Sequence, residues 1–323
     1  MPGPREQPES TKPLTRQVTE ARSGSGVLRA WLRERYGLDF RSLAAFRIAL
    51  AGVILFDLAD RATQLRAFYS DQGMIAPYVF EQSLSRTLLW PHFWSGSPGF
   101  QTLLFAISAL FALAMLLGYR TRIATLLSWA LVCSLHFRNP NILNFGDSIL
   151  RILLFWSIFL PLGERWSIDR SWGRSGTLFG ADSAPGSTRV LSVGAVAIQL
   201  QIVFLYFFSA MHKVGAQWTV DGSALYYALS VDFRVYPLGL WLLQFPDLMK
   251  FLTFATLYLE MFGAFLFFFP FYSAQVRFGT AIAFVMMHLV IGSTMRFGIF
   301  QLVPCAAMLL FVPAPVWDRW KKA

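Results

Sequence analysis

Val190-Leu-Ser-Val-Gly-Ala-Val-Ala-Ile-Gln-Leu-Gln-Ile-Val-Phe-Leu-Tyr-Phe-Phe-Ser-Ala-Met211 contains no charged residue, and His212-Lys213 follows at once. As an α-helix it extends about 33 Å, enough to cross a hydrocarbon core of roughly 30 Å. Apolar blocks of this kind recur at 43–60, 100–118, 121–137, 148–164, 250–270, 277–295 and 297–313. Backbone polar groups in lipid must be satisfied within the segment, and the alternating pattern of a β-barrel is absent. The fold class is therefore all-α: a polytopic helical membrane protein of about eight transmembrane helices. Segment 224–245 is also apolar and aromatic, but Asp232, Arg234 and Pro237 break it. It reads as an interfacial or re-entrant piece, so the count lies between seven and nine.

The net charge of +10 comes from 28 Lys/Arg against 18 Asp/Glu in 323 residues. A basic balance can signal nucleic acid, but here it follows topology. With eight spans, the tails and even-numbered loops carry about twice as many Lys/Arg as the odd-numbered loops, which places both termini in the cytoplasm. The surplus also suits contact with anionic lipid. Residues 1–26 are polar and rich in Pro, Ser, Gly and Arg, the composition of a disordered tail. No signal-peptide core precedes the first span, which is expected to act as the insertion signal. Residues 27–41 form a basic amphipathic juxtamembrane segment suited to the inner membrane surface. Residues 42–316 make one membrane domain, and 317–323 a basic tail. The inner loop 165–189 has linker composition. No internal repeat is evident, which counts against an inverted-repeat transporter. Cys133 and Cys305 lie within predicted spans, far apart in sequence, and read as packing residues; no metal spacing is present.

Lys213 is the most informative residue. An ammonium beside hydrocarbon costs several kcal/mol, so it snorkels, pairs, loses its proton or does chemistry. A neutral lysine is a general base. On the same, outer side the topology gathers His136, the loop Phe137-Arg-Asn-Pro-Asn-Ile-Leu-Asn-Phe-Gly-Asp147 with Asn139 and Asn141, and then His212, Trp218 and His288. Arg61, Arg66, Asp71 and Trp90-Pro-His-Phe-Trp94 come from the first outer loop. Gln199, Tyr206, Ser209 and Lys213 share one helix face, predicting a polar groove that leads to the lysine. Glu260 is an intramembrane acid, protonated or paired. Each feature also has a packing explanation. Lys213 can anchor at the interface, Asp147 and Arg151 can form an i,i+4 ion pair, and the histidines can bridge helices.

Several strings together resemble the horizontally transferred transmembrane domain family, the group that includes vitamin K-dependent gamma-carboxylase. They are Phe46-Arg47 with Asp57 through Arg61, Tyr69-Ser-Asp-Gln-Gly73 with Pro77, and Asn139-Pro-Asn-Ile-Leu-Asn-Phe-Gly-Asp147. Pro161-Leu-Gly-Glu-Arg-Trp-Ser-Ile-Asp169, Lys213…Trp218…Asp221-Gly222, and His288 followed by Arg296-Phe-Gly-Ile-Phe300 complete the set. The resemblance covers about residues 38–313. It implies a membrane enzyme that oxidises and epoxidises a reduced lipid quinone, either reduced menaquinone or vitamin K hydroquinone, with dioxygen. Lys213 matches the position of the family's base. Carbon dioxide and a glutamate acceptor belong to the carboxylase reaction. Here Asn141 stands where the carboxylase has a histidine, and the carboxylase's large lumenal region lies beyond the matched residues. The quinol half therefore carries over further than the glutamate half. The alternative is a non-catalytic membrane protein serving maturation, export or immunity of a secreted peptide; a small-solute transporter ranks third. The expected location is a bacterial inner membrane with the site on the outer side. The bilayer is the expected partner, and neither nucleic acid nor a metal is expected.

Overall fold

Helices form wherever the apolar runs are bounded by caps. The computed structural model describes residues 24–74, 90–174 and 188–320. Helix α1 (Gly24–Tyr36) leads through strand β1 (Leu38–Asp39) into α2 (Phe40–Ala62), whose first turn is capped by the Asp39 carboxylate. After the short α3 (Leu65–Tyr69) come α4 (Pro98–Leu117), α5 (Thr121–Arg138), α6 (Phe145–Ser157) and the one-turn α7 (Ile168–Ser171). Strand β2 (Arg189–Val190) pairs antiparallel with β1, Leu38 opposite Val190, and feeds α8 (Val193–Met211). Short helices α9 (Ala216–Thr219), α10 (Ala224–Leu229) and α11 (Pro237–Leu242) precede α12 (Pro246–Phe262), α13 (Ser273–Thr294), α14 (Leu302–Met308) and α15 (Ala314–Trp320).

Among the described residues, five helices are long and apolar enough to cross a membrane: α2, α4, α8, α12 with its 3₁₀ continuation to Phe268, and α13. Their outward faces are apolar, opposite to the pattern of a water-soluble bundle. On α4, Leu103, Leu110, Leu113 and Leu117 are exposed at spacings of seven, three and four, one continuous stripe for lipid. Ser97 caps α4 with Pro98 at its first position, and Gly118 ends it in the left-handed region at φ 69°. Helix α2 is the most enclosed of the five, with Leu43, Phe46, Leu50 and Ile54 in the main core. The chain is an integral membrane protein built of helices.

Three expected spans came out shorter or more polar than full apolar crossings. The block 148–164 is helical only to Ser157, because a helix interior does not accommodate Pro161. The block 297–313 is helical only from Leu302, and its first residues are a turn with Gly298 at φ 58°. Helix α5 has the length but carries buried polar groups along its final turns, among them Ser134, His136 and Arg138. Segment 224–245 is the broken piece its composition suggested, held to the end of α13 by a Val235–Met295 bridge. The expected tail 1–26 lies outside the described residues up to 23, and 24–26 belong to α1. Most of the linker 165–189, together with Pro77 and 321–323, lies outside them too.

Candidate functional site

The lysine and the acid find one another. Lys213, just past α8, donates to Glu260 Oε2 of α12 and, at 2.9 Å, to Ser209 Oγ one turn back; its ammonium lies 5.2 Å from the Trp218 ring centroid. Both side chains are mostly buried, at 16% and 10% exposure. In that setting an ion pair survives only with close geometry and further hydrogen bonds, which Ser209 supplies in part.

The pair opens into a cavity of about 540 Å³ between α8, α12 and α13, with Trp218 and the α10–α11 segment forming part of its wall. The wall is mainly apolar and includes Met249, Met286, Met287 and Met295, side chains that adjust to irregular ligands. A second polar group in the wall is the contact between Tyr206 and His288, 2.9 Å from hydroxyl to Nε2. His288 Nδ1 is buried and has no hydrogen-bond partner among the described residues. An orphaned buried nitrogen beside an apolar cavity is a ready contact for a ligand.

The other candidate residues lie elsewhere. His136 and Asp147 belong to a second buried cluster, with Asp57, Arg61 and Tyr69. Arg61 donates to Asp57 Oδ2 at 2.8 Å, to Asp147 Oδ1 at 2.5 Å and to the Tyr69 hydroxyl at 2.8 Å. His136 Nε2 stands 3.6 Å from Asp147 and 3.8 Å from Asp57, and neither ring nitrogen makes a hydrogen bond among the described residues. Ligand atoms of Asp57, His136 and Asp147 all lie within 4.8 Å of one another, close enough to surround a cation. The guanidinium of Arg61, however, already bonds both carboxylate oxygens that would face it. Asp147 also closes a capping box with Asn144 at the start of α6. The expected Asp147–Arg151 pair does not form: Arg151 bonds Ser148 Oγ at 3.2 Å and lies over Phe137.

His212 is exposed and bonds its own helix at Phe208 O, because one residue past a helix face turns the side chain about 100° away from it. Asn139 is a turn residue: its amide donates to Phe68 O, and its oxygen accepts from Asn141 N–H. Asn141 is exposed; neither asparagine lines the cavity. The continuous Gln199–Lys213 groove is interrupted, since Gln199 is taken by Tyr36 O and Arg277. Of the sequence candidates, the cavity thus unites Lys213, Trp218, Glu260 and His288 with Tyr206 and Ser209 of the expected groove. Asp57 and Tyr69 were missed as site partners. The i,i+4 spacing of Asp57 and Arg61 was the available signal for the first.

An all-helical membrane protein with a buried Lys–Glu pair in the wall of an apolar cavity is the class this geometry defines. A family model described as the HTTM domain matches residues 37–317, so the chain belongs to the HTTM domain family. No curated protein and no solved structure matches it.

Proposed function

We propose that the chain binds a reduced lipid quinone, of the menaquinone or vitamin K hydroquinone type, in the Lys213 cavity and removes a proton from it there. The observation that carries this reading is the Lys213–Glu260 pair in the wall of a mainly apolar cavity within the bilayer-facing bundle. A cavity of that volume falls in the usual range for small-molecule sites, and its apolar lining suits a ligand arriving from lipid. The orphaned Nδ1 of His288 offers a second polar contact for the ring.

The pair handles one proton in either resting form. As an ion pair, Glu260 takes the proton; as neutral amine and carboxylic acid, Lys213 takes it. Both routes end with a Lys213 ammonium beside the deprotonated hydroxyl and a protonated Glu260, so the cavity's total charge is unchanged. Serine 209 holds the amine, and the low-dielectric wall strengthens the ammonium's attraction for that oxygen. With dioxygen as the oxidant, the reduced quinone would become the quinone epoxide: one oxygen atom enters the ring and the other leaves as water with the two hydroxyl protons. Glutamate carboxylation is not part of the proposal. By the loop-charge bias, the Lys213 end faces outward from a bacterial inner membrane.

The test is dioxygen-dependent epoxidation of reduced menaquinone and of vitamin K hydroquinone by the purified protein in lipid, beside folded Lys213→Ala and Glu260→Gln. Wild type should form epoxide, with Lys213→Ala slower by about 100-fold or more. An unimpaired Lys213→Ala overturns the base assignment. No epoxide from folded wild type overturns the enzyme reading in favour of a non-catalytic role in maturation of a secreted peptide.

A further inference from the structure

Among the described residues, three that line the Lys213 cavity are also exposed on the outside of the bundle: Phe145, Met286 and Val290. Phe145, at the start of α6, packs on Phe300 with ring centroids 6.4 Å apart. Met286 and Val290 lie one turn apart on α13, 54% and 41% exposed, so they belong to the cavity wall and to the lipid-facing surface at once. Helix α12 presents the same sequence of faces. Phe251, Tyr258 and Phe262 point outward, and Ala255 and Leu259, a fraction of a turn round the helix, line the cavity. On both helices an apolar surface thus leads from lipid into the cavity.

The edge between the two helices is open over a limited height. Among the described residues, no hydrogen bond, ion pair or ring contact links α12 to α13. Toward the start of α13 the gap is shut by the 3₁₀ continuation of α12, where the buried Phe267 and Phe284 rings stack at 5.9 Å. Toward its end α11 lies across the gap, and the chain then turns directly into α12 at Pro246. The Tyr236 N–H donates to Thr294 O at 2.9 Å, and a Cβ on Gly239 would stand 2.7 Å from the same oxygen. Glycine is what lets α11 lie so close. Thr294 is ten residues beyond Phe284, about 15 Å of helix. His288 falls within that stretch, so the gap and the polar groups of the cavity share one depth.

We propose that this gap is a lateral window, with Ala255, Leu259, Met286 and Val290 at its rim, through which the apolar tail of the ligand at Lys213 passes into the surrounding lipid. On the quinol reading above, on which this assignment rests, the ring occupies the cavity and the polyprenyl chain leaves by the window. A cavity of about 540 Å³ suits a compact, drug-sized body, and a chain of several isoprene units extends past it. An alkyl chain suits an opening at hydrocarbon depth, where a polar segment would lose its hydrogen bonds to water. Met286 and Met287 can adjust to the shape of such a chain.

The test measures equilibrium binding of two oxidised quinones to the full chain in nanodiscs, with no reductant present. Menadione is the ring without a tail, and the second is a menaquinone with several isoprene units. Met286→Trp/Val290→Trp should fill the window from the lipid side. It should weaken menaquinone binding by about 10-fold and leave menadione binding unchanged, which also reports a folded variant. Leu110→Trp/Leu113→Trp, on the exposed stripe of α4, should alter neither. Undiminished menaquinone binding in the filled variant, or an equal loss of both quinones, would overturn the assignment. A phospholipid with a photoreactive diazirine at its chain end tests the opening without any quinone. On irradiation it should label Met287 and Ile291, which line the cavity behind the rim, in wild type and not in the filled variant. No labelling in wild type would overturn the window. Labelling without binding of either quinone would instead refute the quinol reading and leave the window as the entrance for another lipid.

Discussion

Replacing Arg61 with methionine keeps the length of the side chain and removes the guanidinium that ties α2 to α3 and α6. In the native protein Arg61 meets Asp57, Asp147 and the Tyr69 hydroxyl at 2.8, 2.5 and 2.8 Å; those three partners are buried, and the Arg61 side chain is 9% exposed. Without it, two carboxylates remain beside His136 with no full positive charge to balance them. Removing one partner of a buried pair costs roughly 3–5 kcal/mol. Two charges are stranded here, yet the loss should stay near that range, because one stranded carboxylate can take up a proton. Arg61→Met should therefore destabilise the folded state by about 3–5 kcal/mol. Combining it with Asp147→Asn should cost less than the sum of the single changes by at least about 1 kcal/mol. Equilibrium unfolding in bicelles, followed by tryptophan fluorescence, measures both quantities. A loss below about 1 kcal/mol, or strict additivity, would show that the cluster is not the electrostatic unit described.

The protein should lose stability in mild acid through His92. Burial pushes this imidazole down to about 3, and its Nδ1 lies 2.9 Å from Ser134 Oγ, which also accepts the His92 backbone N–H. The unfolded chain binds the proton first, so His92's contribution is present above about pH 6.5 and fades toward pH 3. Melting curves across that window should diverge between wild type and His92→Gln, and parallel curves would refute this. At the other end of the bundle, Gly118→Ala should cost about 2–4 kcal/mol. The new Cβ would sit at φ 69° and collide with the Arg47 guanidinium and Ser167 Cβ. Unfolding measurements showing less than about 1 kcal/mol would mean that this turn relaxes freely.

The apolar runs carried the bundle because lipid leaves a helix few alternatives, and the order of helices follows them closely. Lengths were less legible. Composition stays apolar through Ser157-Ile-Phe-Leu-Pro161, and only the proline's geometry ends α6. Lys213 and Glu260 were each conspicuous as intramembrane charges, but their contact depends on α8 meeting α12 at one depth, which no local pattern encodes. Sequence adjacency misled at His212, where one residue of helical rotation separates a cavity wall from an exposed face. At Asp147 a local partner four residues on was plausible, and tertiary packing brought Arg61 from 86 residues away instead. Residue types proclaim a buried charge; only the fold names its partner.

The two ends of the described chain are tied together. Arg41 Nη1 lies 2.6 Å from Asp318 Oδ1, 277 residues away, and Trp317 donates its indole N–H to Ser42 at 2.8 Å. Arg47, deep in α2, bonds the carbonyls of Leu162 and Trp166, 115 and 119 residues later. A ribosome adds roughly 5–20 residues per second, so Arg47 waits about 6–24 s for its partners and Arg41 about 14–55 s for Asp318. Through that interval α2 holds the Arg47 guanidinium with its carbonyl partners not yet made, while Arg41 has Asp39 beside it from the start. Newborn α2 therefore gains from shelter by the insertion machinery, or by headgroups and water at the bilayer edge, until the segment through Trp166 supplies those bonds.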